Sequence, residues 1–77
     1  MTRNYLSGSI KKALIIIECV GKSPNPLKAS QVASITKLDR ATAFRILTYL
    51  VSLGYIFKDI NNNLYSLGHK IFEFGDK

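Results

Sequence analysis

The strongest constraint in this chain is a bracketed stretch near its middle. Asp39 is followed by fourteen residues, Arg40 to Leu53, without Gly or Pro, then by Gly54, after which the apolar period changes from helical to alternating. Within the bracket, Ala43, Ile46, Leu47, Leu50 and Leu53 recur at three- and four-residue spacing and fall on one face of a helix, with Ala41, Arg45, Thr48 and Ser52 opposite. Asp39, three residues before Thr42, has the side chain and spacing of an N-cap, and Gly54 those of a C-cap. Beyond it, Tyr55-Ile56-Phe57-Lys58-Asp59 and Leu64-Tyr65-Ser66-Leu67 have strand preference. Asn61-Asn62-Asn63 between them tolerates the left-handed backbone of a tight turn. The chain therefore pairs a two-sided helix with a β-hairpin.

Upstream, Met1 to Ser9 lacks periodicity and reads as a flexible arm carrying one cation, Arg3, with Ser9 as an N-cap. Ile10, Ala13, Leu14, Ile17 and Val20 then mark the inward face of a helix that Gly21 closes, leaving Ile15 and Cys19 on its other side. Lys22 to Pro26 is a non-helical connector that leaves Leu27 extended, as a short edge strand. A helix of barely two turns from Ala29 to Thr36 turns Val32, Ala33 and Ile35 inward and Ser30 and Ser34 outward. Lys37 and Leu38 turn the chain into the helix that begins at Arg40, which makes a helix-turn-helix. His69 to Phe74 forms a last helical turn or two before Gly75 and a charged tail. The expected fold is mainly α with a small β-hairpin: a winged helix-turn-helix of three core helices and a two-stranded wing. Its parts are an arm over residues 1–9, the winged domain over 10–68, and a tail or the start of a linker helix over 69–77.

Charge narrows the function. Eleven Lys and Arg against five Asp and Glu give +6 in 77 residues, which suits an anionic polymer and above all nucleic acid. The longest uninterrupted apolar run, Ala13 to Ile17, is far short of the ~20 residues of a membrane span. The single cysteine, Cys19, excludes an internal disulfide and a cysteine-based zinc site, and its apolar neighbours suit a reduced, cytoplasmic protein. One histidine, His69, and five scattered carboxylates offer no catalytic set and no metal site. The glycines are isolated and form no phosphate loop. Neither an enzyme nor a cofactor is expected.

The strings Ser9-Ile10-Lys11-Lys12-Ala13-Leu14-Ile15-Ile16-Ile17-Glu18, Ala41-Thr42-Ala43-Phe44-Arg45-Ile46-Leu47, Leu50, Leu53-Gly54-Tyr55 and Tyr65-Ser66-Leu67-Gly68 follow one another at spacings that resemble the N-terminal DNA-binding domain of IclR-type transcriptional regulators. The likeness covers nearly everything from Ser9 to Gly75. It implies a homodimer on a palindromic operator in a bacterial or archaeal nucleoid, and a small-molecule effector sensed by a further domain absent from this chain. Either the chain is an excised domain or it is a stand-alone relative. It also implies that the helix over 40–53 enters the major groove.

Residue by residue, Ala41 permits close approach, and Thr48 and Arg45 face the groove, where Arg reaches a guanine edge or a phosphate. The alternative for Arg45 is a solvated surface charge. Phe44, on the flank, either touches a thymine methyl or packs under the neighbouring helix or hairpin. Arg40 meets a phosphate or pairs with Asp39. Thr42 resembles a family position near the DNA backbone, or its hydroxyl is tied to the Asp39 cap. At the start of the second helix, Lys28 stands where the family often carries Ser or Thr, and Ser30 takes over as cap, with amides that favour phosphate. Lys58 and the Asn61 to Asn63 turn, Asn62 at its centre, reach the minor groove or backbone, against the charge of Asp59, or the hairpin is purely structural. Lys11, Lys12 and Lys22 serve solubility. Ile15 and Cys19 form an apolar strip for a two-fold contact, joined by Phe72 or Phe74. Two rival readings remain: a winged-helix protein-interaction or assembly module without specific DNA binding, and RNA or non-B-form duplex recognition.

Overall fold

The computed structural model describes the backbone of residues 3–75 and the side chains of residues 8–75. Met1 and Thr2 of the expected arm, and Asp76 and Lys77 of the charged tail, lie outside the described residues. The elements run α1 (Arg3–Lys22), α2 (Ala29–Thr36), α3 (Arg40–Leu53), β1 (Ile56–Asp59), β2 (Leu64–Leu67) and α4 (His69–Gly75). This is a winged helix-turn-helix, as the order of periods predicts.

The caps define α3. Asp39 stands extended and its carboxylate accepts the Thr42 N–H, while Gly54 at φ 89° closes the other end by donating to the carbonyls of Leu50 and Val51. In α2 the cap differs from expectation. The Lys28 N–H donates to Gln31 Oε1 at 2.8 Å, the reciprocal half of a capping box, and a Lys ammonium has no lone pair for the other half. Ser30 lies inside the helix and does not cap it. The turn from α2 into α3 passes through Lys37 in the left-handed region at φ 62°. Leu38 then donates to Ala33 O at 3.1 Å.

The wing is a two-stranded antiparallel hairpin in the register Ile56↔Leu67, Phe57↔Ser66, Lys58↔Tyr65 and Asp59↔Leu64. Leu27 adds a third, minimal edge: its N–H donates to Tyr65 O at 3.0 Å and its carbonyl accepts from Tyr65 N at 2.7 Å. Pro26 just before it has no N–H and cannot continue a helix, and the Leu27 N–H and carbonyl are both spent on Tyr65. The four-residue loop is built by its own polar groups. Asn63, left-handed at φ 60°, donates its N–H to Asp59 O, the Asn61 N–H donates to Asp59 Oδ1, and the Leu64 N–H donates to Asn62 Oδ1. Asp59 is therefore a loop-builder more than a bystander charge.

One core joins these pieces: Ile16, Val20, Leu27, Val32, Leu47, Leu50, Ile56 and Tyr65 form a contiguous buried cluster. Helix α1 packs on α2, α3 and β2, and α3 packs on α2 and β1. At about 1.5–3 kcal/mol per fully buried large apolar side chain, this cluster is the main source of stability.

Several inward assignments shift. Helix α1 starts at Arg3, so Ser9 is not its cap and the described part of the expected arm is helical. Residues 3–9 contain no proline, and the one glycine, Gly8, is a tolerable cost of about 1 kcal/mol. The buried stripe of α1 is Ile16 and Val20, with Ile17 and Cys19 partly buried against the same cluster, whereas Ile10 and Leu14 are 61% and 54% exposed. Leu14 to Ile17 is apolar all round the helix, so periodicity admits more than one stripe and packing on α2, α3 and β2 selects among them. In α2, Ile35 is exposed because the stripe is completed by Thr36, whose hydroxyl donates to Val32 O at 2.7 Å. Leu53, in line with Ile46 at the rim of the α3 stripe, is exposed at the last residue of the helix. Phe57 pairs with Ser66 on the outer face of the wing and is exposed too.

Candidate nucleic-acid interface

The polar side of α3 is open. Arg40, Ala41, Arg45, Thr48 and Ser52 are exposed, while Ala43, Leu47 and Leu50 on the opposite side are buried. The two-sidedness that the sequence shows is thus realised: among the described residues Ala41, Arg45 and Thr48 are exposed, and Arg45 borders a cleft that it shares with Ser9, Ile10 and Lys12 of α1. Phe44, 51% exposed, flanks this face on the side of the wing. On the other flank, towards α1, stand Thr42 and Tyr49.

Thr42 is tied to the cap. Its hydroxyl donates to Asp39 Oδ1 at 2.7 Å while its N–H donates to Oδ2 at 3.1 Å. Of the two readings for Thr42, the geometry takes the capping one: a hydroxyl proton held by Asp39 is not free for a phosphate, which offers only acceptors. The two bonds hold the Asp39 carboxyl below its ordinary pKa, the hydroxyl first and the amide second, with the Arg45 charge a smaller contribution.

Beside α3, the wing and the start of α2 meet it in one open cleft of about 450 Å³. Lys28 and Ser30 from α2, Phe44 from α3, and Lys58 and Asn62 from the wing all face this cleft. Four expected site residues, Ser30, Phe44, Lys58 and Asn62, are brought together here, and Arg45 and Thr48 lie along the adjoining surface of α3 with Phe44 and Tyr49. Arg40 and Ala41 stand exposed at the first turn of α3, outside the cleft. Asn62 gives its Oδ1 to the loop, which leaves its amide N–H groups as the outward donors.

Two exposed side chains escaped the sequence reading. Tyr49 is four residues after Arg45 and so shares its side of the helix, a spacing that could have flagged it. Ile60 is 85% exposed at the tip of the wing, an apolar residue outside the alternation of both strands. The proposed two-fold strip fares differently. Ile15 is partly buried and Cys19 is packed against the core, whose burial pushes the thiol pKa up. Cys19 is therefore not the unpartnered half of such a strip, and among the described residues of α1 the most exposed apolar side chains are Ile10 and Leu14.

Among the described residues, no cluster of His, Cys, Asp and Glu is grouped to hold a metal ion, and no helix is long and apolar enough to cross a membrane. His69 is exposed at the first position of α4.

Comparison with known proteins bears directly on this geometry. Residues 9–59 match the IclR helix-turn-helix domain. The p-hydroxybenzoate hydroxylase transcriptional activator of Acinetobacter baylyi is 33% identical over 73 residues, which cover 95% of this chain and 26% of that protein. The crystal structure of an IclR family transcriptional regulator from Brucella abortus superposes with a TM-score of 0.79 at 30% identity, over 87% of this chain and 25% of that one. IclR of Thermotoga maritima shares the fold at a TM-score of 0.80 and 23% identity, over 90% of this chain and 28% of its own. The chain thus spans about a quarter of the length of these relatives.

Proposed function

The chain belongs to the IclR helix-turn-helix family of DNA-binding transcription regulators, and on that premise we propose that it binds double-stranded DNA sequence-specifically, with α3 in the major groove. The observation that carries this reading is the open face of α3: Ala41, Arg45 and Thr48 are exposed with no core duty, and Arg45 is the one side chain among them that can make a bidentate contact to guanine. Residues 10–68 form the binding unit, and α4 is either the start of a linker helix or a tail. Arg40 meets a phosphate at the first turn of α3. The cleft holding Lys28, Ser30, Lys58 and Asn62 follows the DNA backbone beside the groove, where cations fix register without reading sequence. The protein works by binding and not by catalysis. Two copies read a palindromic operator, and the exposed Ile10 and Leu14 of α1, with Phe72 and Phe74 of α4, offer apolar surface for their pairing. An effector acts through a domain outside this chain.

Titration of labelled duplexes at several salt concentrations tests the reading. The expected outcome is affinity that falls linearly in log–log form with salt while a preference among sequences persists. Salt-insensitive self-association without duplex binding would instead support an assembly module, and a preference for RNA over B-form DNA would move the function to RNA.

A further inference from the structure

Lys58 and Tyr65 are directly opposed in the hairpin register, so their side chains leave the same face of the wing. The Lys58 Nζ lies 5.8 Å from the centre of the Tyr65 ring and 5.9 Å from the centre of the Phe44 ring. The two rings differ in kind. Tyr65 is 2% exposed and part of the core, so its position is fixed, whereas Phe44 stands half in solvent on α3. Lysine on a two-stranded wing ordinarily samples many rotamers along its four-carbon stem. Here the ammonium is bounded by a ring from the wing and a ring from the recognition helix. The remaining walls of the cleft come from Lys28, Ala29, Ser30, Asn62 and Asn63, none of which carries a carboxylate. A ring face attracts the cation without consuming its N–H donors as an ion pair would.

We propose that Phe44, together with Tyr65, is a positioning residue that holds the Lys58 ammonium in the gap between wing and recognition helix, preset to meet a DNA phosphate, and that Phe44 does not read a base. The proposal rests on the DNA-binding reading above. It follows that Phe44 couples the wing to α3. Removing its ring returns rotamer freedom to Lys58, which must then be lost again on binding. Because the contact so ordered is to a phosphate, the loss is felt on every sequence alike.

The test compares Phe44→Leu, Phe44→Tyr and Lys58→Ala in the full chain. In the free protein, the Lys58 ε-methylene proton resonances are expected upfield of their ordinary position through ring currents. They should keep that shift in Phe44→Tyr and move back towards the ordinary position in Phe44→Leu. On DNA, Phe44→Leu is expected to weaken binding about two- to fivefold on preferred and mismatched duplexes equally, with Phe44→Tyr retaining wild-type affinity. Lys58→Ala should flatten the log-affinity against log-salt slope by about one. Ordinary Lys58 shifts in the wild type, or upfield shifts that Phe44→Leu leaves unchanged, would overturn the positioning role. A loss in Phe44→Leu confined to one base position would overturn it in favour of base reading. An unchanged salt slope in Lys58→Ala would remove the phosphate contact. Failure of the wild type to bind any duplex would overturn the functional reading itself, a result separate from the ring-current measurement.

Discussion

Asp39 and Thr42 are joined by two hydrogen bonds across the first turn of α3, from the Thr42 amide to Oδ2 at 3.1 Å and from its hydroxyl to Oδ1 at 2.7 Å. Both favour the ionised carboxyl, so Asp39 titrates below its ordinary value in the folded chain. A carboxyl depressed by folding adds stability above its unfolded pKa, and that stability is lost as pH falls through the folded value. Thr42→Val removes the hydroxyl and keeps the amide. The Asp39 side-chain carbon resonance should then titrate closer to the ordinary carboxylate range, and the share of the acid decline in thermal midpoint that Asp39 contributes should be smaller and complete at a higher pH. An unchanged titration would show that the hydroxyl contributes nothing to the cap.

The rotation of the buried stripe in α1 has a measurable consequence. Ile16 is fully buried and Ile10 largely exposed. Ile16→Ala should cost about 2–5 kcal/mol in urea unfolding, and Ile10→Ala no more than about 0.5 kcal/mol. A larger cost at Ile10 than at Ile16 would place the stripe where periodicity alone puts it.

That helix also shows where the sequence stops being legible. In α3 the cap residues, the Gly54 terminus and the inward Ala43, Leu47 and Leu50 were all readable, because polar residues separate the two faces. The hairpin was readable for a similar reason: the change of period and the asparagines mark it. In α1 the run from Leu14 to Ile17 presents apolar side chains in every direction, and the neighbours α2, α3 and β2 decide which are covered. The same limit applies to Ile35 and Phe57, whose apolar character says nothing of whether another element reaches them. At the interface, the outward residues of α3 could be named in advance. The meeting of Phe44 with Lys58 could not, since they are fourteen residues apart and brought together by the hairpin folding back on α3.

Gly68 joins the wing to α4 in a space with no room for a side chain. A Cβ there would collide with the Gly54 carbonyl oxygen and lie 2.9 Å from Ile56 N, both backbone atoms that cannot rotate away. The Gly68 N–H also donates to Tyr55 O at 2.8 Å. Gly68→Ala should therefore lower the thermal midpoint markedly and loosen the junction of β1 with α3. A midpoint within a degree or two of the wild type would contradict so close an approach.

Cys19 packs against the core and its thiol pKa is raised by burial, so it stays protonated at neutral pH. Iodoacetamide should modify it more slowly in the folded chain than in urea. A thiol raised by folding adds stability that is lost as pH rises through the folded value, so the wild type should lose stability in alkali faster than Cys19→Ala. Equal labelling rates in both conditions would place Cys19 on the open surface.

On this mechanism the open face of α3 reads the DNA sequence. Selection of bound duplexes from a random pool, run in parallel with the wild type and with a folded Arg45→Ala variant, measures it most directly. The wild type should enrich a defined half-site, and Arg45→Ala should lose preference at one position of it, with affinity reduced by about 1–3 kcal/mol. A pool that emerges unenriched, or the same half-site recovered with the same affinity by both proteins, would contradict the account.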